Sequence, residues 1–406
     1  MEATLLKNAF VYRIEKGEYE VMDVYISGGR IYKSFEGKVR EIDLKGKYLM
    51  PGFFDCHVHL TWSGGNDPKE QVFKEGNYIT FLRAYRNSLR SLAYGITNLV
   101  DVGSHEDMAI YLSKAIRSGV ILGPEIIASG RIITITGGHG FYMGYEVNGS
   151  VEALKAVREL IKKGAEIIKI AATSGAYGDT GAEKLESYQL NDDEISTIVK
   201  EAHKFFIKVT AHAVNSKGIH NALINGVDII QHGVFLNEED AKFMAMKGRS
   251  LVPTLYVYQR LSRGGVGVME RAVEKAKIIA RNHYNSFRIA IEMGVNIASG
   301  TDAGSPTLGD HPTLFEEVIT MNEAGLDKRG CLKAMTINAA KALGIESQYG
   351  TIDDGKVANL VVLERDPLAD LKNLYSVEKV VINGRIYDSK QLLEITSSMS
   401  PFFPGL

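Results

Sequence analysis

Two histidines one residue apart, His57 and His59, close the apolar run GFFDCHVHL. In an extended strand residues i and i+2 face the same side, so both imidazoles can reach one cation. Four more side chains of ligand type lie in later runs of the same kind. Lys169 sits inside EIIKIAA, His212 near the end of KVTAHA, His232 in DIIQHG and Asp302 in VNIASGTDAG. Taken singly, each has an ordinary explanation. A lone histidine hydrogen-bonds within a core, a lysine runs its ammonium out along apolar surface, and an aspartate forms a turn or caps a helix. Taken together, six groups on five strand ends, in the order His-X-His, Lys, His, His, Asp, point to a metal centre.

Such a set needs a frame that brings distant strand ends together. Between residues 51 and 345 eight short apolar runs recur: GFFDCHVHL, TNLVDVG, EIIASG, EIIKIAA, KVTAHA, DIIQHG, SLVPTL and VNIASGTDAG. Amphipathic stretches such as VEALKAVRELIKKGA and DDEISTIVKEAHKFF separate many of them, with apolar residues at helical spacing. Eight strand–helix units within about 300 residues predict an α/β protein built on a (β/α)8 TIM barrel, whose catalytic groups stand at the C-terminal ends of the strands. A doubly wound open sheet would usually carry a glycine-rich turn after its first strand, and none is seen.

The two ends follow a different grammar. Residues 1–50 alternate β-formers between glycine turns, as in EVMDVYISGGRIYKSF, and the far end repeats the pattern in KVANLVVLE and VEKVVINGRIYD. Asn383-Gly384 is a strong hairpin signal. The expected division is a composite β domain from 1–50 plus 350–406, and a (β/α)8 barrel from 51–349.

Bulk properties narrow the function. The net charge is −2 and charged residues make up 24 % of the chain, which gives no reason to expect a nucleic-acid or membrane partner. A small-molecule substrate is the expected partner, with self-association into a homo-oligomer left open. Only two cysteines occur, Cys56 and Cys331, so a disulfide framework is not expected and a reducing, cytoplasmic setting is. The first 20 residues hold no apolar core of signal-peptide length.

The ordered ligand set resembles the amidohydrolase superfamily, specifically its binuclear branch. PGFFDCHVHL, GTDAG and TINAAKALG followed by GTIDDGKVANLVVLERDP agree with it, so the likeness spans nearly the whole chain. The resemblance implies a barrel with a small β-sandwich assembled from both termini. It implies two divalent ions, zinc by preference, one held by His57, His59 and Asp302, the other by His212 and His232. Lys169, carboxylated by carbon dioxide to a carbamate, would bridge them. A hydroxide shared between the ions would attack an amide carbonyl, with Asp302 as general base and then acid.

Two further segments, ITGGHGFY (135–142) and LVPTLYVYQRL (251–261), resemble the branch with prolidase-like and Xaa-Arg or Xaa-Lys dipeptidases, imidazolonepropionase-related proteins and an ochratoxin-hydrolysing enzyme. That match implies that His139 contacts substrate and that the Tyr258 hydroxyl polarises a carbonyl or holds a carboxylate. The expected substrate is a dipeptide or N-acyl amino acid. A one-metal imidazolone-type hydrolase or deaminase is the alternative; such enzymes carry His-X-X-Glu after the fifth strand, where this chain has His212-Ala213-Val214-Asn215. A non-catalytic scaffold of the same fold is the third reading, and scaffolds lose ligands that this chain keeps. His105 and His311 stand near the mouth with no role assigned, and His203, His220 and His283 read as surface groups on helices.

Overall fold

The computed structural model describes residues 2–65, 67–177, 180, 182, 184–265 and 268–399. Eight strands from the two ends of the chain form one sheet. Glu2–Arg13 lies at its centre, antiparallel to Glu18–Ser27 and parallel to both Lys38–Asp43 and Tyr48–Pro51. Tyr48–Pro51 pairs antiparallel with Leu360–Leu363, which continues through Val377–Ile382 to Arg385–Asp388. The termini therefore meet in one module. The Asn383-Gly384 turn has φ of 48° and 77°, the left-handed pair that a two-residue hairpin needs. The chain does not end in this sheet: Ser389–Met399 is a helix packed on helix Asn77–Ala93, and Leu392 buries against Leu89 and Leu92.

The middle of the chain forms two parallel sheets. The first contains Phe53–Val58, Ile96–Asp101 and Glu125–Ala128. The second runs in the order Gly144–Glu146, Ile132–Thr134, Ile167–Ala171, Lys208–Ala213, Ile229–His232, Ser250–Val252 and Asn296–Ile297. All eight apolar runs hold a strand. The third is followed by two short extra strands, 132–134 and 144–146, that flank the TGGHG segment.

Backbone bonds link the two sheets at both seams. Cys56 N–H donates to Ser299 O (2.9 Å), Asp302 N–H to His57 O (2.8 Å) and His59 N–H to Ala303 O (2.9 Å). On the other side Glu166 N–H donates to Ala128 O (3.0 Å). Cys56, Val100, Ile167, Ile229 and Val252, from strands of both sheets, belong to one buried cluster. In the second sheet Ala171 pairs with His212 and Ala213 with His232, so the register brings successive ligand residues to one end.

The connecting helices carry their start signals in sequence. Asn191, Asn215 and Asn237 each accept a backbone N–H from the first turn of the helix that follows, a cap that contributes about 1 kcal/mol. Both cysteines are free and buried. Among the described residues no helix is long and apolar enough to cross a membrane.

Candidate metal centre

The expected histidine and aspartate ligands stand at the same end of the parallel strands, and with Lys169, His139 and Tyr258 they line one cavity. The ligand atoms of His57, His232 and Asp302 lie within 4.8 Å of one another. Asp302 Oδ1 is 3.4 Å from His57 Nε2 and 3.3 Å from His59 Nε2. The His212 and His232 rings are 4.6 Å apart, centre to centre. The tightest group thus draws on histidines expected at different ions.

The other nitrogen of each ring is occupied. His59 Nδ1 donates to Gly103 O (2.8 Å) and His212 Nε2 to Ser174 O (3.0 Å). Both acceptors are carbonyls, so His59 Nδ1 and His212 Nε2 carry protons, and His59 Nε2 and His212 Nδ1 are the nitrogens left to meet a cation. His57 Nδ1 lies 2.8 Å from Gln231 Oε1, and His232 Nδ1 lies 2.7 Å from Thr254 Oγ1. Fixing the far nitrogen in this way orients a ring for a cation. Burial, followed by neighbouring positive groups, holds His57 and His212 well below the usual histidine range, and burial does the same for His232. Burial thus favours the neutral form of His57, His212 and His232, the form that binds metal.

Asp302 behaves oppositely. Burial alone would raise its carboxyl, yet the bond and charge of His59 keep it below the ordinary value, and Ser305 Oγ donates to its Oδ1 (2.8 Å). Two ligand residues carry backbone strain: φ is +62° at Asp302 and +70° at His232. A non-glycine residue there costs about 1–3 kcal/mol and persists where its surroundings hold it.

Lys169 is 1 % exposed, and its Nζ has no hydrogen-bond partner among the described residues. Burial pulls its pKa down to about 7, with Asp302 opposing. An amine buried among four imidazoles and left unpaired is poorly accounted for as an ammonium. The donor set fits divalent ions: oriented imidazoles, a carboxylate, and an amine that carbon dioxide would convert to an anion.

The remaining site residues form the cavity wall. His139 stacks on His212 with ring centres 3.9 Å apart. Gly175 makes that approach possible, because a Cβ there would stand 2.3 Å from the His139 ring. At Gly304, with φ of +99°, a Cβ would stand 2.4 Å from the His59 carbonyl oxygen. Tyr258 belongs to the short helix Leu255–Leu261, its ring 5.5 Å from that of His232. Burial, then the Asp302 charge, keeps its phenol protonated. Pro68, His139, Gly140, Tyr142 and Tyr177 also line an outer vestibule. Within the loop 173–190, residues 178, 179, 181 and 183 lie outside the described residues.

One expectation about the remaining histidines changes. His283 is not a surface group: it is 1 % exposed and its Nε2 donates to His232 O (2.9 Å). His203 and His220 are partly exposed and pair with Asp228 and Asp240. His311 is buried beside Gly304, and His105 is half-buried in a short 3-10 turn. Asn215, at the position where a deaminase carries glutamate, accepts from Gly218 N–H (2.9 Å) as a helix cap.

Sequence reading missed a second layer of supports. Asp55, fully buried, accepts from Thr301 Oγ1 (2.7 Å) and Thr301 N (3.0 Å), and so pins the segment before Asp302. Asp101 accepts from Leu60 N–H (2.9 Å), just beyond His59. Asp55 carried a signal, being two residues before His57 in the same strand.

The model of the amidohydrolase family matches residues 48–387. The chain belongs to this family. Its match to ochratoxinase from Aspergillus niger is 30 % identical over 358 residues, 80 % of this chain and 72 % of that protein. A prolidase solved in complex with N-methylphosphonate-L-proline is 30 % identical, covers 95 % of this chain and 99 % of its own, and has a TM-score of 0.88. A Xaa-Pro dipeptidase with bound methionine in its active site is 29 % identical, with a TM-score of 0.86 over 95 % of this chain and 100 % of that one. These relatives make the chain a hydrolase of amide bonds on a TIM-barrel catalytic domain with an added sheet domain.

Proposed function

We propose that this amidohydrolase uses two divalent ions to cleave the amide bond of a dipeptide or N-acyl amino acid. The observation that carries the reading is Lys169, buried with no hydrogen-bond partner among the described residues, in a cavity lined by four metal-type imidazoles and Asp302. His57, His59 and Asp302 would hold one ion and His212 and His232 the other, with Lys169 as a carbamate between them. Zinc suits a donor set rich in nitrogen. When bound, such ions polarise a carbonyl and bring the pKa of water near neutrality.

The chain's own residues supply the rest. Asp302, kept ionised, accepts a proton from the attacking water and returns it to the leaving nitrogen. Tyr258, kept protonated, donates to the carbonyl oxygen or the substrate carboxylate, and His139 forms the substrate-facing wall over His212. The prolidase, dipeptidase and ochratoxinase relatives support an amide substrate. The bonds between the two sheets support a closed eight-stranded barrel over 51–349. The single core shared by Leu6, Val24, Leu49, Leu360 and Val381 supports a composite β domain from 1–50 plus 350–406, built on one sheet where a sandwich was expected.

Elemental analysis of the purified chain loaded with zinc tests the reading. Close to two ions per chain are expected, and fewer after His57→Ala. Chelation should remove hydrolysis of a panel of Xaa-Pro dipeptides and N-acyl amino acids, and added zinc should restore it. One ion per chain under metal excess would overturn the binuclear assignment.

Tyr258→Phe should lower kcat/KM by roughly 10²-fold, the usual loss on removing one donor to a developing oxyanion. Metal content and Tm should be nearly unchanged, because the ring remains. Unchanged kinetics on every substrate cleaved would make Tyr258 ordinary packing.

A further inference from the structure

We infer that Glu317 is a positioning residue for the reaction, acting by fixing the helix that carries Tyr258. The inference rests on the role proposed above for Tyr258.

The chain leaves the seventh strand, Ser250–Val252, and turns into helix Leu255–Leu261 through Thr254, whose φ is +50°. A threonine at that position ordinarily caps the helix by accepting a first-turn N–H. Here it makes no such bond: its backbone is left-handed rather than extended, and its hydroxyl lies 2.7 Å from His232 Nδ1. The local cap is diverted to a metal-type histidine. Two first-turn amides are then left to find acceptors elsewhere.

Glu317 supplies both. Leu255 N–H donates to Glu317 Oε1 (2.9 Å) and Tyr256 N–H to Oε2 (2.7 Å), across 62 and 61 residues of sequence. The carboxylate is 0 % exposed and comes from helix Leu314–Glu323, which follows the loop bearing Asp302. Burial pushes the Glu317 carboxyl up to about 8, and the Tyr256 and Leu255 amides oppose that rise; each oxygen takes one amide, an arrangement that satisfies two acceptor oxygens. Three other helices of this chain use a local asparagine for the same task. The distant carboxylate does something a local cap cannot: it ties the Tyr258 helix to the wall behind Asp302. Tyr258 lies within one turn of the two amides, its ring against His232 and His283. Thr254 and Glu317 thus lock one helix start to two walls of the cavity, and the Tyr258 hydroxyl is set in place by both.

A double-mutant cycle tests this in the zinc-loaded enzyme. Glu317→Gln keeps the shape and one acceptor, but turns an NH2 toward a backbone N–H. The expected loss in kcat/KM is between about tenfold and 10²-fold, the scale of a small misplacement, with metal content unchanged. In a Tyr258→Phe background the same substitution should cost less than about twofold, since the group being positioned is already gone. If Glu317→Gln does not fold, Glu317→Asp, which keeps both acceptor oxygens one methylene short, carries the same cycle. A Tyr258→Phe enzyme that is slow and is slowed further by the full factor would overturn the positioning role alone. A Tyr258→Phe enzyme with unchanged kcat/KM would sink the Tyr258 assignment, and the positioning role with it.

Discussion

Lys169→Ala protein should lose at least about 10²-fold in kcat/KM, since disturbing even an outer partner of a metal ligand typically costs 10–100-fold. The loss should come with metal content below two ions per chain. The argument starts from Lys169 Nζ, buried with no partner among the described residues. An ammonium there would repel any cation that the surrounding imidazoles bind. The neutral amine, which burial favours, would add carbon dioxide, release a proton and become an anion that attracts two. Wild-type enzyme grown with labelled bicarbonate should therefore show a carbamate carbon by NMR, absent from the variant. A short-chain carboxylic acid, small enough for the space left by the lysine, should restore part of the variant's activity. Full activity with two bound ions and no additive would show that Lys169 merely fills the core.

How much of this could be read from sequence depends on what each residue does. The strands were legible because each is an apolar run ending in small or polar residues, a pattern that burial on both faces imposes. The six ligand-type residues were legible because such side chains are conspicuous at strand ends. What the third strand does next was not. Gly130 at φ +70° breaks it, and strand Ile132–Thr134 forms only because Ile170 and Tyr145 offer it partners. That pairing is a property of the assembled sheet. The eighth strand is similarly reduced to Asn296–Ile297, with 299–303 held by single bonds to the first strand.

The second layer was hidden for another reason. Gln231, Thr254 and Glu317 are polar types found on any surface, and only the fold brings them to His57, His232 and the Tyr258 helix. His283 is different, because its signal was present and passed over. Ala272, Ala276, Ile279, His283, Phe287 and Ala290 recur at three- and four-residue steps, and all are buried along one face of the helix Glu270–Glu292. A histidine on such a stripe faces the core. The C-terminal helix Ser389–Met399 was likewise overshadowed by the hairpin before it, although Leu392, Leu393 and Ile395 are not spaced as a half-buried strand.

Asp302→Asn should leave the fold intact and lower kcat far more than it raises KM. Asp302 Oδ1 faces two imidazoles and takes the Ser305 hydroxyl. An asparagine can reproduce that shape with its carbonyl oxygen while losing the charge and the capacity to carry a proton. The backbone at φ +62° also tolerates asparagine better than most residues. Folding and substrate binding should therefore survive, with Tm close to wild type. The lost function is proton transfer in the transition state, which general acid–base catalysis makes worth about 10²–10⁴-fold, and a loss made only there appears in kcat. Weaker metal binding would confuse the result, so the comparison is made at saturating zinc with occupancy measured on the same sample. At equal occupancy, a variant within about threefold of wild type in kcat would move the base away from Asp302, and His139, stacked on His212 in the cavity wall, would be the next residue to test.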